Sequence, residues 1–304
     1  MKALVIGAAG QLGSEVVNIL QGDYEVVGVT RTEADITDLS QVMALVEKIL
    51  PQVIVNTAAY TDVDGCEKNR EKAFLVNAIG ARNVAIAARK VGAKLVHIST
   101  DYVFDGTKDT PYFEYDPPRP INVYGWSKLV GEQMVKEQNP RSFILRVAWL
   151  YSARRKNFVK TMLKLAQERD EIRVVNDQRG TPTFAGDVAR QIKALIKTDC
   201  YGLYHCTSQG SCTRYEFALA IFKHAGYKAK ANTDGSVRLI PNAEGLKPFT
   251  LKPVTSDEFP TPARRPANSV LENFMLKVQG LDIMPHWEES LAAHIQEIKE
   301  AVKG

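Results

Sequence analysis

The first half of the chain alternates two kinds of segment. KALVIG (2–7), EVVGVT (25–30), QVIVNTA (52–58), KLVHIST (94–100) and SFILRVAWLY (142–151) are short and apolar on both faces, which predicts buried strands. Between them, apolar residues recur every three or four positions, the period of a helix with one buried face. Such helices are expected over 11–21, 40–50 (Val42, Leu45, Val46 and Ile49 on one side), 71–91 (Phe74, Ala78, Ala81, Ala85, Ala88) and 124–138. Strands separated by helices imply a parallel sheet covered on both sides, and right-handed crossovers make it a doubly wound α/β fold.

The second half is less regular. Helices are expected over 157–169, 186–197 and 215–226, with GLYHCTS (202–208) as a strand returning to the sheet. The stretch 227–268 reads as loop, with five of the fourteen prolines between 241 and 262. The chain closes on a helix striped by Trp287, Leu291, Ile295, Ile298 and Val302. This pattern divides the chain into a domain over 1–150, completed by a segment returning near 186–210, and a smaller, discontinuous domain over 151–304.

Composition narrows the function. With 39 basic and 35 acidic residues the net charge is +4, too mild for a nucleic-acid binder but suited to an anionic ligand. The apolar run at the start is cut by Gly7, so no secretory signal is expected, and nothing approaches the roughly 18 apolar residues of a membrane span. Cys66, Cys200, Cys206 and Cys212 have no CxxC spacing, which predicts reduced thiols and a cytoplasmic protein.

Between the first strand and the first helix lies Gly7-Ala8-Ala9-Gly10-Gln11-Leu12-Gly13. Glycines there allow a tight turn and let backbone N–H groups approach a pyrophosphate at the helix N-terminus. The second strand ends in Thr30-Arg31-Thr32 where an acid would select NADH. An arginine can instead meet a 2′-phosphate, so NADPH is favoured, with NADH still open. Asp35, a few residues on, either approaches the adenine or caps the next turn.

Tyr124-Gly-Trp-Ser-Lys128 carries the chemistry. Positions i and i+4 share a helix face, so the phenol and the ammonium can share a site. A cation there would lower the tyrosine pKa and make it a general acid for a carbonyl oxygen. Thr100, at the end of the fourth strand, would offer a hydroxyl to the same oxygen, because such sheets bind ligands at their carboxyl ends.

With GAAGQLG (7–13), NTAAYTDVDGCE (56–67), STDYVFDG (99–106), YGWSKLVGE (124–132), DQRGTPT (177–183) and PTPARRPANSVL (260–271), the chain resembles the extended short-chain dehydrogenase/reductases, and among them the dTDP-4-dehydrorhamnose reductases. The resemblance runs over nearly the whole chain. It implies a Rossmann-like NADP-binding domain, a nucleotide-sugar substrate, dTDP-rhamnose biosynthesis, and a monomer or homodimer. Tyr124 would protonate the C4 oxygen, supported by Lys128 and Thr100. Gly7, Gly10, Gln11, Leu12, Gly13 and Arg31 would bind NADPH, with Asp35, Ile36, Ala58, Ala59, Tyr60 and Lys128. Thr61, Val63, Asp101, Tyr102 and Trp149 would line the sugar pocket, beside Thr100 and Tyr124. Gln178, Gly180 and Arg265 would lie near the nucleotide, where Arg264 and Arg265 could clamp a diphosphate. Some members dimerise through a metal held by carboxylates. Glu15 fits that pattern, but the later positions, Asp187 and Gln191, supply one acid, so no metal such as magnesium is expected. Two other roles share the scaffold: a different sugar-nucleotide reductase or epimerase, and a non-enzymatic regulatory subunit. The presence of Thr100, Tyr124 and Lys128 together favours an enzyme.

Overall fold

A computed structural model describes residues 1–242 and 246–303. Each apolar run of the first half becomes a strand: β1 (Lys2–Ile6), β2 (Glu25–Val29), β3 (Val53–Asn56), β4 (Lys94–Thr100) and β5 (Ser142–Val147). The helices among them are α1 (Gln11–Leu20), α2 (Leu39–Ile49), α3 (Val63–Lys68), α4 (Arg70–Phe74), α5 (Ala81–Lys90) and α6 (Val123–Gln138). The second half contributes β6 (Leu150–Tyr151), β7 (Glu171–Val175), β8 (Arg179–Gly180), β9 (Thr183–Phe184), β10 (Gly202–His205), β11 (Cys212–Thr213), β12 (Tyr227–Ala231), β13 (Val237–Pro241) and β14 (Phe249–Val254). Its helices are α7 (Phe158–Glu168), α8 (Ala185–Leu195), α9 (Arg214–His224), α10 (Phe274–Val278) and α11 (Trp287–Lys303).

The main sheet runs β10-β5-β4-β3-β1-β2, and every pairing in it is parallel. Because successive side chains in a strand face opposite ways, β1 splits its residues between two cores. Ala3 and Val5 pack with Leu12 and Val16 of α1 and with Val188 of α8, while Leu4 and Ile6 pack with Val42, Val46 and Val84 on the other side. The chain leaves β2 at one edge and re-enters at β3 on the far side of β1. That reversal opens a crevice at the carboxyl ends of β1 and β3, the place where such sheets bind ligands.

A second core gathers Phe217, Phe222, Phe249, Leu251, Trp287 and Leu291 beneath a four-stranded sheet ordered β12-β13-β14-β7. The stretch 227–268 is therefore not the loop its prolines suggest: Pro241 ends β13 and Pro253 sits within β14. Two other elements also depart from expectation. The helix over 71–91 is interrupted by a π-helical segment, Leu75–Gly80, which turns Asn77 inward. The strand over 142–151 stops at Val147, because Trp149 takes a left-handed backbone (φ 44°), and Leu150–Tyr151 pairs with β9 instead.

Candidate active site

Gly7 adopts φ 83°, and its N–H and that of Ala8 both donate to the Val29 carbonyl at 2.9 and 3.0 Å, which ties the turn after β1 to the end of β2. Gly10 stands at the N-cap of α1, and no side chain caps that end. The free N–H groups of the first turn are thus left for an anion. A Cβ added at Gly13 would lie 2.2 Å from the Gly7 carbonyl oxygen and 2.8 Å from the Thr57 hydroxyl. The closest obstacle is backbone, so Gly13→Ala must push α1 away from the turn. We expect it to lower thermal stability by about 1–3 kcal/mol and to weaken dinucleotide binding. Unchanged melting and binding would contradict this packing.

A cleft of about 800 Å³ opens over the turn. Gly7, Gly10, Gln11, Leu12 and Gly13 form its floor, and Arg31, Asp35 and Ile36 stand at one end. Ala58, Ala59, Tyr60 and Thr61 follow β3 along its side. Asn77 positions that strip: its side chain accepts from the Tyr60 N–H at 2.8 Å and donates to the Tyr60 carbonyl at 3.0 Å and to Ser127 at 2.9 Å. At the far end Thr100, Asp101, Tyr124, Lys128 and Trp149 all face the same space. The loop 152–157 leans over the floor. Ser152 and Asn157 donate to the Gln11 side chain at 3.4 and 3.1 Å, and Arg155 Nε donates to the Ala9 carbonyl at 2.8 Å. Arg155 holds this contact from a left-handed backbone, φ 58°.

The reaction centre is set by the start of α6. Asn122 caps it by accepting from the Gly125 N–H at 2.8 Å, and Gly125 lets the first turn press on the Tyr102 carbonyl, which an added Cβ would reach at 2.1 Å. Tyr124 and Lys128 then follow one turn apart. Burial raises the Tyr124 phenol above its ordinary pKa, with a Thr100 hydrogen bond pulling the other way. The Lys128 ammonium donates to the Ile98 carbonyl at 2.6 Å. Its pKa is pushed down to about 8 by burial, against an upward pull from Glu132. The expected lowering of the phenol by the ammonium is therefore corrected: burial dominates, and the lysine ammonium gives one of its hydrogens to a main-chain carbonyl. The phenol is held in its protonated form, the form a proton donor needs.

Asp101 is buried, accepts from Thr100 Oγ1 at 3.0 Å, and has its other carboxyl oxygen without a partner. Burial lifts its pKa to about 6. Behind the centre, Glu132 lies one further turn along α6. It accepts from Ser99 and from Arg146 at 2.9 and 2.8 Å, forming an ion pair 3% and 7% exposed. This pair braces the residue next to Thr100.

Five expected site residues surround the cleft rather than line it. Tyr102 stands edge-on to Tyr124, ring centroids 5.9 Å apart. Gly180 backs the Trp149 indole so closely that a Cβ would fall 2.4 Å from it, while the Arg214 guanidinium covers the indole at 3.5 Å from its centroid. Val63 begins α3, and the neighbouring Asp64 holds Arg265 through bonds of 2.6 and 2.8 Å. Arg265 is therefore neutralised within the protein instead of free for a diphosphate. Gln178 donates to Ser256 at 3.0 Å. Of the residues considered for a metal, Gln191 is engaged with the Leu281 carbonyl and the Ile283 N–H, and Asp187 with Ser290 and Arg190. Among the described residues no group of three His, Cys, Asp or Glu could hold a metal ion.

Sequence reasoning passed over Asn77, Glu132, Arg146 and Arg214, and over Arg155 and Lys156, which line the cleft. Only Glu132 left a signal, as the next i+4 position after Tyr124 and Lys128.

A parallel sheet with its crevice at the point of strand reversal, a glycine turn on an uncapped helix, and a tyrosine–lysine pair facing the same cleft define a dinucleotide-dependent oxidoreductase of the short-chain dehydrogenase/reductase class. The family model described as RmlD substrate binding domain matches residues 1–300, and the chain belongs to that family. It is 40% identical over 304 residues to the spore coat polysaccharide biosynthesis protein SpsK of Bacillus subtilis, covering 99% of each chain. It is 39% identical over 307 residues to the dTDP-4-dehydrorhamnose reductase of Burkholderia thailandensis, covering 98% of this chain and 99% of the relative. The crystal structure of a dTDP-4-dehydrorhamnose reductase from Bacillus anthracis in complex with NADP superposes with a TM-score of 0.89 at 43% identity, covering 97% of this chain and 99% of that one.

Proposed function

We propose that the chain reduces the C4 keto group of dTDP-4-dehydro-L-rhamnose to the alcohol of dTDP-L-rhamnose, with NADPH as the reductant. One observation carries this reading: Thr100, Tyr124 and Lys128 face the far end of a cleft whose other end is a glycine turn and a basic residue. The fit to the dinucleotide rests on that cradle. Side chains at Gly7 or Gly13 would collide with the neighbouring backbone, and the first turn of α1 offers N–H groups with no internal acceptor.

The bound nicotinamide supplies the hydride. The chain's own groups do the rest. Tyr124 gives its phenolic proton to the oxygen as the C–O bond becomes single, and Thr100 turns its hydroxyl hydrogen from Asp101 to that oxygen. Lys128 stays charged near the developing negative charge and holds the nicotinamide ribose. These are positioning and electrostatic contributions, which act best in a site closed to water.

Trp149, held by Arg214 over its ring and by Gly180 against it, borders the sugar site, with Thr61, Val63, Asp101 and Tyr102 about it. Gln178, Gly180 and Arg265 stand toward the nucleotide half. In this reading residues 1–150, with the returning segment near 186–210, bind the cofactor, and the remainder binds the substrate. Four free cysteines suit a reducing cytoplasm, and no helix among the described residues is long and apolar enough to cross a membrane.

The test is NADPH oxidation, followed by absorbance, against a panel of 4-keto sugar nucleotides. Rapid turnover is expected with the dTDP-linked 4-keto-6-deoxy-L-sugar, and its failure to react would defeat the proposal. The pH profile follows from Lys128. Its useful form is protonated, and its pKa of about 8 lies below the ordinary lysine value. Activity should therefore hold between about pH 6, where Asp101 titrates, and that value, and fall as pH rises through it. A flat profile up to pH ~10, the ordinary lysine range, would remove Lys128 from this role.

A further inference from the structure

We propose that the Glu33 carboxylate occupies, from within the chain, the anion site that the 2′-phosphate of NADPH enters, and so sets how strongly the protein prefers NADPH to NADH. The inference rests on the dinucleotide-binding reading above and concerns the adenosine end of the cleft.

The carboxyl end of β2 is where such folds meet the ribose beside the adenine. There, a single oxygen of Glu33 accepts three bonds: from the Thr30 N–H at 2.8 Å, from Thr30 Oγ1 at 2.6 Å and from Thr32 Oγ1 at 3.1 Å. One backbone N–H and two hydroxyls converging on one point make an anion site, and a phosphate oxygen accepts from the same donors. Thr30 and Arg31 both line the cleft. Arg31 is engaged as well, giving Nε and Nη2 to Asp35 at 3.0 and 2.8 Å. Both features suited to a 2′-phosphate are thus satisfied by the protein's own acids. The bonds from Thr30 and Thr32 draw the Glu33 carboxyl down to about 2, so it stays charged throughout the working range.

The consequence differs for the two cofactors. A 2′-phosphate must displace the Glu33 carboxylate from Thr30 and Thr32, draw Arg31 from Asp35, and stand beside two negative charges. A free 2′-hydroxyl donates to Glu33 as it is. Glu33 therefore weakens NADPH and favours NADH, opposing Arg31.

The experiment titrates full-length protein with NADPH and with NADH, following the fluorescence of the reduced nicotinamide, which reads binding without turnover. Glu33→Gln keeps an oxygen to accept from Thr30 and removes only the charge. It should tighten NADPH by about threefold to tenfold, the scale of one exposed like charge, and leave NADH equal or weaker. Thr32→Val should weaken NADPH alone, since its hydroxyl passes to the phosphate. A wild-type ratio of the two dissociation constants in Glu33→Gln, or a parallel shift of both cofactors, overturns the inference while leaving the reductase reading intact. Wild-type protein that binds neither nucleotide overturns both.

Discussion

Tyr124→Phe is expected to lower turnover by about 100-fold or more, the scale of a general acid, with the NADPH dissociation constant unchanged. The phenol stands at the start of α6, and burial keeps it protonated. Phenylalanine fills the same space against the Tyr102 ring and loses only the hydroxyl. Fold, cradle and cofactor affinity should therefore persist while proton delivery stops. Measured together, single-turnover rate and binding separate this from a general loss of the site. Near wild-type turnover would remove Tyr124 from the chemistry. A loss of cofactor binding equal to the loss of rate would make it a packing residue.

Arg146→Met should destabilise the protein by about 3–5 kcal/mol, because it leaves the Glu132 carboxylate charged and buried without its partner. Both members of the pair are almost fully enclosed, and their two bonds of 2.8–2.9 Å are the compensation for desolvating them. Replacing both, as Glu132→Leu with Arg146→Met, should recover much of the loss, since two apolar side chains need no counter-charge. Denaturant unfolding of the single and double variants decides it. A single-variant loss below about 1 kcal/mol, the scale of an exposed pair, would mean that water reaches the site. Ser99 also bonds to Glu132, beside Thr100, so the single variant should lose activity even where it remains folded.

The legible parts of this protein are those where a local pattern decides the structure. Strands buried on both faces read as continuous apolar runs, as β1, β3, β4 and β5 do; the partly exposed edge strands β2 and β10 were legible from their apolar residues and their place between helices, and the glycine turn from its place between β1 and α1. The four-stranded sheet was not. In β12, only Tyr227 is buried and the four residues after it are exposed, so no alternation marks it as a strand. Prolines at 241 and 253 then imitate a loop. The break at Trp149 was also hidden, since what holds the indole is Arg214 over its ring and Gly180 packed against it, both distant in sequence. The π-helical turn at Asn77 has the same character: its use is to reach Tyr60 and Ser127. The chemistry of Tyr124 and Lys128 was half legible. Their spacing placed both on one cleft, but the Ile98 carbonyl that accepts a hydrogen bond from the lysine, and the burial that raises the phenol, belong to the folded protein.

The most direct measurement is a product balance under limiting cofactor. Protein, dTDP-4-dehydro-L-rhamnose and a sub-stoichiometric amount of NADPH are allowed to react to completion, and the sugar nucleotide is identified by NMR. One dTDP-L-rhamnose is expected for each NADPH consumed, and no reaction once NADPH is exhausted. Conversion of the sugar without net consumption of NADPH, or consumption that yields the opposite configuration at C4, would contradict this expectation.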